Sequence, residues 1–309
     1  MIKHTQLKRQ LGLFGAIMMG LGSIIGTGVF VSIGIAAGIA GPSVIFAVVI
    51  GAIVALFNGL SSAQLAANHP VSGGTYEYGY CYLNSKLGFV AGWMFLLAKS
   101  ASAATAALGF SGYVIGTLRL QQNLLIPLAL STILILTLIV LSGIKRSNSI
   151  NIFIVSITIG SLLLFVITGI NITVDNAKAN LTPFLPHDLS SLFHASALMF
   201  VAYTGYGRIA TLGEEVKKPH TTIPQAMIIT LAITMLLYIC VALVSVGAIG
   251  ANGLNQAVQS TAAPLEVAAT EFGIDGIPQI VTLGAITAML GVLLNLILVS
   301  SPRFMYQWE

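Results

Sequence analysis

GLGSIIGTGVF, residues 20–30, places four glycines, a serine and a threonine in the middle of an uncharged segment that runs from about residue 11 to 37. Glycine weakens a helix because ordering its backbone costs the most conformational entropy. A stretch apolar enough to be buried is therefore made fragile at its centre. Small residues confined to one helix face serve close packing between helices. Gly22, Ser23, Gly26, Thr27 and Gly28 instead run around the whole circumference, and the segment is expected to be a helix interrupted at mid-length. Unwound backbone at membrane depth is tolerated only where protein or a cavity surrounds it. It presents N–H groups at the start of the outer half-helix and C=O groups at the end of the inner one, suited to a carboxylate and an ammonium respectively. The order G-x-G-x-x-x-G, with no strand before it, does not fit a dinucleotide fingerprint.

Composition sets the solvent. Apolar residues make up 56% of the chain and charged residues 7%, with mean hydropathy +0.95, whereas soluble domains carry about 25% charged residues. Repeated runs of about 20 apolar residues read as membrane helices rather than as the alternating strands of a barrel. The spans fall near residues 11–37, 43–65, 88–115, 123–141, 150–170, 190–212, 224–249 and 277–301. Pro42 and Pro224 each stand at a first-turn position ahead of an apolar helix. Cys81 and Cys240 have no metal or redox spacing. The first run continues too far, and lacks the cleavage site, for a removable signal peptide.

Eight spans put both termini on one side. That side holds Lys3, Lys8, Arg9, Lys86, Lys145, Arg146, Lys217, Lys218 and Arg303, against Arg119 and Lys178 opposite. The bias makes the N-terminus cytoplasmic and the chain a multi-pass protein of the plasma (cell inner) membrane. The net charge of +4 follows from topology and contact with membrane lipid; no basic cluster interleaved with aromatics indicates nucleic acid. The segment NITVDNAKANLT is expected as an outer loop, with acceptor sequons at Asn171 and Asn180.

The sixth span repeats the opening feature. In FVAYTGYGRIATLGEEV, residues 200–216, Thr204, Gly205, Tyr206, Gly207 and Arg208 interrupt an apolar helix. Breaks in the first and sixth spans imply two inverted repeats of five helices. Together with HPVSGGTYEYGY (residues 69–80), and with the sixth-span motif extended to residue 224 as FVAYTGYGRIATLGEEVKKPHTTIP, the opening motif resembles an amino acid permease of the amino acid, polyamine and organocation (APC) superfamily. The resemblance covers essentially the whole chain. It implies an all-α LeuT-type fold in one membrane domain, with a first repeat in residues 1–170 and a partial second repeat, helices six to eight, in residues 190–309. It also implies that the α-carboxylate of an amino acid substrate is held at Ile24, Ile25, Gly26, Thr27 and Gly28. The α-amine would be held by carbonyls around Phe200, Val201, Ala202 and Thr204, with Tyr203 or Tyr206 as gate. In the resembling family the loop after span two closes the inner mouth, where Glu77 can pair with a cation or simply be solvated. Glu214 and Glu215, ahead of Lys217 and Lys218, either latch the sixth helix or form a solvated helix end.

Lys99 lies deep in span three among Ala98, Ser100, Ala101, Ser102 and Ala103, and Arg208 follows the sixth-span break. Ionisable groups at such depth point to function by default. Lys99 either titrates, stands as a fixed charge in place of sodium, or snorkels. Arg208 either lines the inner vestibule or reaches cytoplasmic water. In proton-coupled relatives that resemble the cationic amino acid transporters, a lysine on the fifth helix and a glutamate on the third correspond here to Thr158 and Ala98. Coupling to proton or sodium is thus left open, and no cofactor or metal is implied.

Such a fold needs about ten core helices, and the chain supplies spans only to about residue 301. The sequence therefore reads as truncated, with the missing C-terminal helices of a full-length carrier as its partners, and the 309-residue chain is expected not to transport alone. A secondary carrier of a neutral amino acid is the favoured function. A non-transporting amino acid sensor sharing the site is the alternative. Enzyme activity fits least, because His194 lacks an acidic partner or metal spacing.

Overall fold

A computed structural model describes residues 11–69, 74–141, 148–185, 188–213 and 215–300. Lys3, Lys8, Arg9, Lys145, Arg146, Glu214, Arg303 and part of the HPVSGGTYEYGY loop lie outside the described residues. Helix α1 (Leu13–Ile24) stops where Ile25 turns extended, at φ −75° and ψ 107°. A π-helical turn, Gly28–Ser32, restarts the coil and leads into α2 (Ile33–Ala40). Gly41, at φ 64°, reverses the chain in a conformation that a Cβ would disfavour, and Pro42 starts the turn into α3 (Val44–Asn68).

The stretch expected as a loop after span two contains α4 (Thr75–Tyr82), on which Tyr76 and Tyr80 meet edge to face while Tyr78 is buried. Asn84 caps α5 (Ser85–Leu118) by accepting the Leu87 N–H at 2.8 Å. Helix α6 spans Leu125–Leu141 and α7 spans Asn148–Asn180. Asp188 caps α8 (Leu189–Tyr203) through the Ser191 N–H at 3.0 Å. A 3-10 turn, Thr204–Tyr206, then joins α8 to the single turn α9 (Gly207–Ala210). Helix α10 (Pro219–Thr261) is kinked at Gly250 (φ 73°), and α11 (Pro264–Thr270) precedes α12 (Ile277–Ser300).

Two expectations are corrected. NITVDNAKANLT is not an outer loop, because α7 continues through it to Asn180. Pro224 is not a first-turn residue; Pro219 holds that place and Pro224 lies inside α10. Six stretches of the described residues are long and apolar enough to cross a membrane: Gly28–Asn68, Ser85–Leu118, Gln122–Ile139, Asn151–Asn180, Pro219–Thr261 and Ile277–Ile297. The sixth window holds only the 15-residue α8, the 3-10 turn and α9. An interrupted helix fails any test that demands a continuous one.

Helix α10 packs on α1, α3 and α7, α8 packs on α3, and α12 lies between α5 and α7. The buried centre includes Phe30, Tyr113, Phe165, Tyr203 and Tyr238. Phe57, Phe89, Trp93, Phe153 and Leu236 face outward, as expected where the surrounding solvent is hydrocarbon. Helix–helix affinity in such a solvent rests on close packing and hydrogen bonds more than on hydrophobic burial.

The kink in α10 illustrates that dependence. Asn180 Nδ2 donates to the Gly247 carbonyl at 2.8 Å and to the Ala248 carbonyl at 3.3 Å, one turn before Gly250. Asn176 adds a longer contact to Ala248 at 3.5 Å. Replacing Asn180 by leucine is expected to strip these carbonyls of their donor, at about 1–3 kcal/mol, and to lower the melting temperature in detergent. Asn171→Leu, on the exposed face of α7, is expected to leave it unchanged.

Candidate functional site

The two interrupted helices cross at their breaks. A Cβ on Gly205 would strike the Ser23 carbonyl and come within 2.7 Å of the Ile24 nitrogen, and a Cβ on Gly28 would lie 2.6 Å from the Ala202 Cβ. Backbone therefore meets backbone at two points, which only glycine permits. Further glycines admit neighbouring helices: Gly109 of α5 abuts Thr27, Gly51 of α3 abuts the Phe200 nitrogen, and Gly26 faces Val292 of α12. Ile24, Ile25, Gly26, Thr27 and Gly28 thus lie together beside Ala202 and Gly205, with Ile24, Ile25, Val29 and Phe30 buried. The helix restarts after the break, with the Phe30 N–H reaching the Gly26 carbonyl at 3.3 Å. The first amides of a restarting helix have no intrahelical acceptor, and its N-terminal end is partially positive. That is the chemistry of a carboxylate site.

The carbonyls of the inner half-helix are met by side chains from three neighbours. Asn151 Nδ2 on α7 donates to Met18 O at 2.9 Å, Asn295 Nδ2 on α12 to Gly22 O at 3.4 Å, and the Tyr238 hydroxyl on α10 to Ile24 O at 2.9 Å. Beyond the break, the Tyr113 hydroxyl on α5 donates to Phe30 O at 2.9 Å, and its ring meets Phe30 edge to face. Ser23 turns its hydroxyl back to Met19 O. Tyr238, Asn151, Asn295 and Tyr113 belong to none of the sequence motifs. A legible signal exists for the two amides, each a polar side chain embedded in an apolar span.

The other sequence candidates fall at varied distances from the crossing. Tyr203 is buried, its ring stacked at a tilt 5.1 Å from Tyr238, and its hydroxyl has no hydrogen-bond partner among the described residues. Tyr206 is buried at the turn. Phe200 is half-buried, whereas the Val201 side chain is 61% exposed and points away from the crossing. The Val201 carbonyl accepts the Thr204 hydroxyl at 2.8 Å and the Thr204 N–H. Thr158 donates to Ile154 O within α7 and borders a small cavity lined by Gly22, Ile25, Ile154, Val155 and Ala288.

Lys99 does not reach the crossing. Its Nζ lies 5.2 Å from the Phe95 ring centre, in a cleft between α5 and α12 lined by Leu96, Ser100, Ala103, Leu296 and Ile297. Ala98 and His194 are on exposed faces. Arg208 donates to the Thr211 hydroxyl at 2.8 Å and approaches Glu215 at 4.0 Å. Glu77 approaches His69 at 3.9 Å. Near Arg208, Leu11, just before α1, pairs with the segment after α9: Leu11 N–H donates to Glu215 O at 3.1 Å, and Lys217 N–H to Leu11 O at 2.8 Å.

At the other end, Glu266 on α11 faces Gly116 of α5, with Tyr113 and Thr282 nearby. Burial pushes its carboxyl above the ordinary 4.5, and the Thr282 hydroxyl pulls it part of the way back. A raised folded-state value means the folded chain holds this proton more tightly than the unfolded chain. The stabilisation is complete below the unfolded value and lost as pH rises through the folded one. Glu266→Gln is therefore expected to flatten the fall of melting temperature with pH that begins above 4.5.

Gly205→Ala is expected to force the two breaks apart, lowering the melting temperature and abolishing any ligand-induced stabilisation. Gly160→Ala, with nothing within 4 Å of the added Cβ, is expected to leave both intact. Thermal unfolding with and without ligand compares the two.

An amino acid permease family model matches residues 15–308. An uncharacterized transporter of Mycobacterium tuberculosis is 37% identical over 294 residues, covering 95% of this chain and 64% of the relative. A methylthioribose transporter of Bacillus subtilis is 32% identical over 313 residues, covering 96% of this chain and 66% of that one. A branched-chain amino acid permease of the same organism is 29% identical, covering 98% of this chain and 67% of its own length. The chain spans about two-thirds of the length of these relatives. The crystal structure of MhsT in complex with L-phenylalanine shares the fold, with TM-score 0.70 at 17% identity over 96% of this chain and 74% of that one. These relatives are membrane transporters rather than enzymes. The chain is a multi-pass helical membrane protein with a LeuT-type fold, and it belongs to the amino acid permease family of the APC superfamily.

Proposed function

We propose that the protein carries a neutral amino acid across the membrane by alternating access around the crossing of its two interrupted helices. One observation carries the choice of substrate. The acidic residues of the chain are Glu77, Asp175, Asp188, Glu214, Glu215, Glu266, Glu271, Asp275 and Glu309, so neither break contains a carboxylate. A cationic side chain placed there would lose its hydration without a counter-charge. The substrate's own carboxylate finds the partially positive amides at Gly26, Thr27 and Gly28, while its ammonium finds the carbonyls of residues 200–204. The first are dipoles at the break after α1 and the second those at the end of α8 and its 3-10 turn, helix-end dipoles of the kind used by discontinuous membrane helices. The branched-chain permease among the relatives is in keeping with an apolar side chain, as are Phe30, Tyr203 and Tyr238 around the crossing.

The reading extends to eight spans with the N-terminus cytoplasmic, supported by the excess of Lys and Arg on that side. The contacts Leu11–Glu215, Leu11–Lys217 and Arg208–Glu215 then tie the inner ends of the first and sixth spans. Releasing those ties is the movement that opens the inner side.

The purified chain in detergent, heated with a panel of amino acids, tests the proposal. A ligand that binds only the folded form at about 100 times its Kd stabilises it by about 2.7 kcal/mol. Leucine and phenylalanine are expected to raise the melting temperature, and lysine and glutamate to leave it unchanged. Equal stabilisation by lysine, or none by any amino acid, overturns the reading.

A further inference from the structure

The inner half of the first helix ends inside the protein at Ile24. Such an end is partially negative, and its last carbonyls lack intrahelical donors. Three ways exist to satisfy them: water, a bound cation, or donors from the protein. Unwound carbonyls of this kind are common cation ligands in carriers. Here donors from the protein hold the position. Asn295 reaches Gly22 O at 3.4 Å and Tyr238 reaches Ile24 O at 2.9 Å, two residues apart on the same turn, while Asn151 holds Met18 O one turn earlier at 2.9 Å. All three donor side chains are buried, Tyr238 and Asn151 completely. They arrive from α12, α10 and α7, so the donors surround the helix end rather than line one side of it.

The neighbouring space is poor in ligands for a cation. The cavity beside Gly22 and Ile25 is bounded by Ile154, Val155 and Ala288, and its one side-chain oxygen is the Thr158 hydroxyl, which donates to Ile154 O. Hard cations need several oxygen ligands at once, usually with a carboxylate among them, and the breaks contain no acid. An amide N–H or a phenol O–H pointing at a carbonyl also occupies the direction from which a cation would approach.

We propose that Asn295 and Tyr238 are positioning residues that hold the broken end of the first helix in place of a monovalent cation, so that the site forms without sodium. The proposal deepens the carrier reading and rests on it for its meaning. Its chemistry is separate, because sodium is probed here with no amino acid present. Asn295 is the specific lever. Exchanging its amide for a carboxylate replaces a donor by an acceptor, and two oxygens then face each other across the break. A cation between them becomes the favourable solution.

The test is the melting temperature of the full 309-residue chain in sodium, potassium and choline chloride at equal ionic strength, for the wild type, Asn295→Asp and Tyr238→Phe. The wild type is expected to melt at one temperature in all three salts. Asn295→Asp is expected to melt lower in choline and to recover in a saturable way as sodium is added. Tyr238→Phe keeps the ring against Tyr203 and loses only the hydroxyl, so it is expected to melt lower by the same amount in every salt. A residue that merely packs the core would shift stability without creating ion specificity. Saturable, sodium-specific stabilisation of the wild type overturns the proposal, as does an Asn295→Asp variant indifferent to sodium. Should that variant fail to fold, the wild-type series and Tyr238→Phe still decide: sodium-specific rescue of Tyr238→Phe means that the carbonyls take a cation whenever they are free.

Discussion

Every backbone N–H and C=O at membrane depth must find a partner, because lipid offers none. The rest of this structure depends on how two helices are broken under that constraint. A break exposes polar backbone in the least forgiving solvent. It is affordable only when another backbone, a ring of donors or a ligand closes over it. Glycine provides the first remedy. Gly205 against Ser23 and Ile24, and Gly28 against Ala202, bring the break after α1 into contact with the end of α8 and its 3-10 turn, so that each shields the other from lipid. The same closeness gathers the partially positive start of one half-helix and the carbonyl end of α8 around one small volume.

Side-chain donors provide the second remedy, and they tie distant helices to the break. Tyr113, Asn151, Tyr238 and Asn295 come from α5, α7, α10 and α12 and end on carbonyls of the first helix or its continuation. A buried carbonyl stripped of its donor costs about 1–3 kcal/mol. Movement around the crossing must therefore keep these pairs together or exchange them for others. Rigid-body rocking keeps them; bending at the break does not. The kink of α10 at Gly250, with Asn180 on its carbonyls, is a smaller case of the same solution.

What the sequence makes legible follows the same physics. Gly22, Gly26, Gly28 and Gly205 can be read because glycine spread around an apolar helix has few other uses; Ile25 turns extended in the first of these stretches, and a 3-10 turn, Thr204–Tyr206, follows α8 in the sixth. The length of α7 cannot be read from hydropathy. NITVDNAKANLT looks like an outer loop because it is polar, yet Thr173 and Asn180 spend that polarity on α10 carbonyls. Helix α4 is hidden similarly by the glycines before it. The donors around α1 are invisible for another reason. A tyrosine or asparagine within a span shows that a partner exists, but only the fold names the partner. Lys99 shows the converse: its depth is evident in the sequence, while its position in a cleft with Phe95, facing α12 rather than the crossing, depends on helix rotation.

The placement of charge completes the argument about the ligand. Lys99 and Arg208 are the basic side chains within the third and sixth spans, and Glu215 approaches Arg208 at 4.0 Å. Arg208 spends part of its guanidinium on Thr211 and faces Glu215 at the inner end, and Lys99 leans on an aromatic ring. The interior therefore carries positive charge that is only partly compensated. On the proposed reading, a zwitterion entering this field would gain at its carboxylate twice, from the helix amides and from the more distant cations. At its ammonium it would have only the carbonyl dipoles of residues 200–204, of which Val201 O already accepts from Thr204. A second positive charge on the ligand would meet repulsion with no compensating acid, whereas an apolar side chain meets Phe30, Tyr203 and Tyr238. On the proposed reading, discrimination against basic amino acids would be electrostatic, set by residues that need not touch the side chain being rejected.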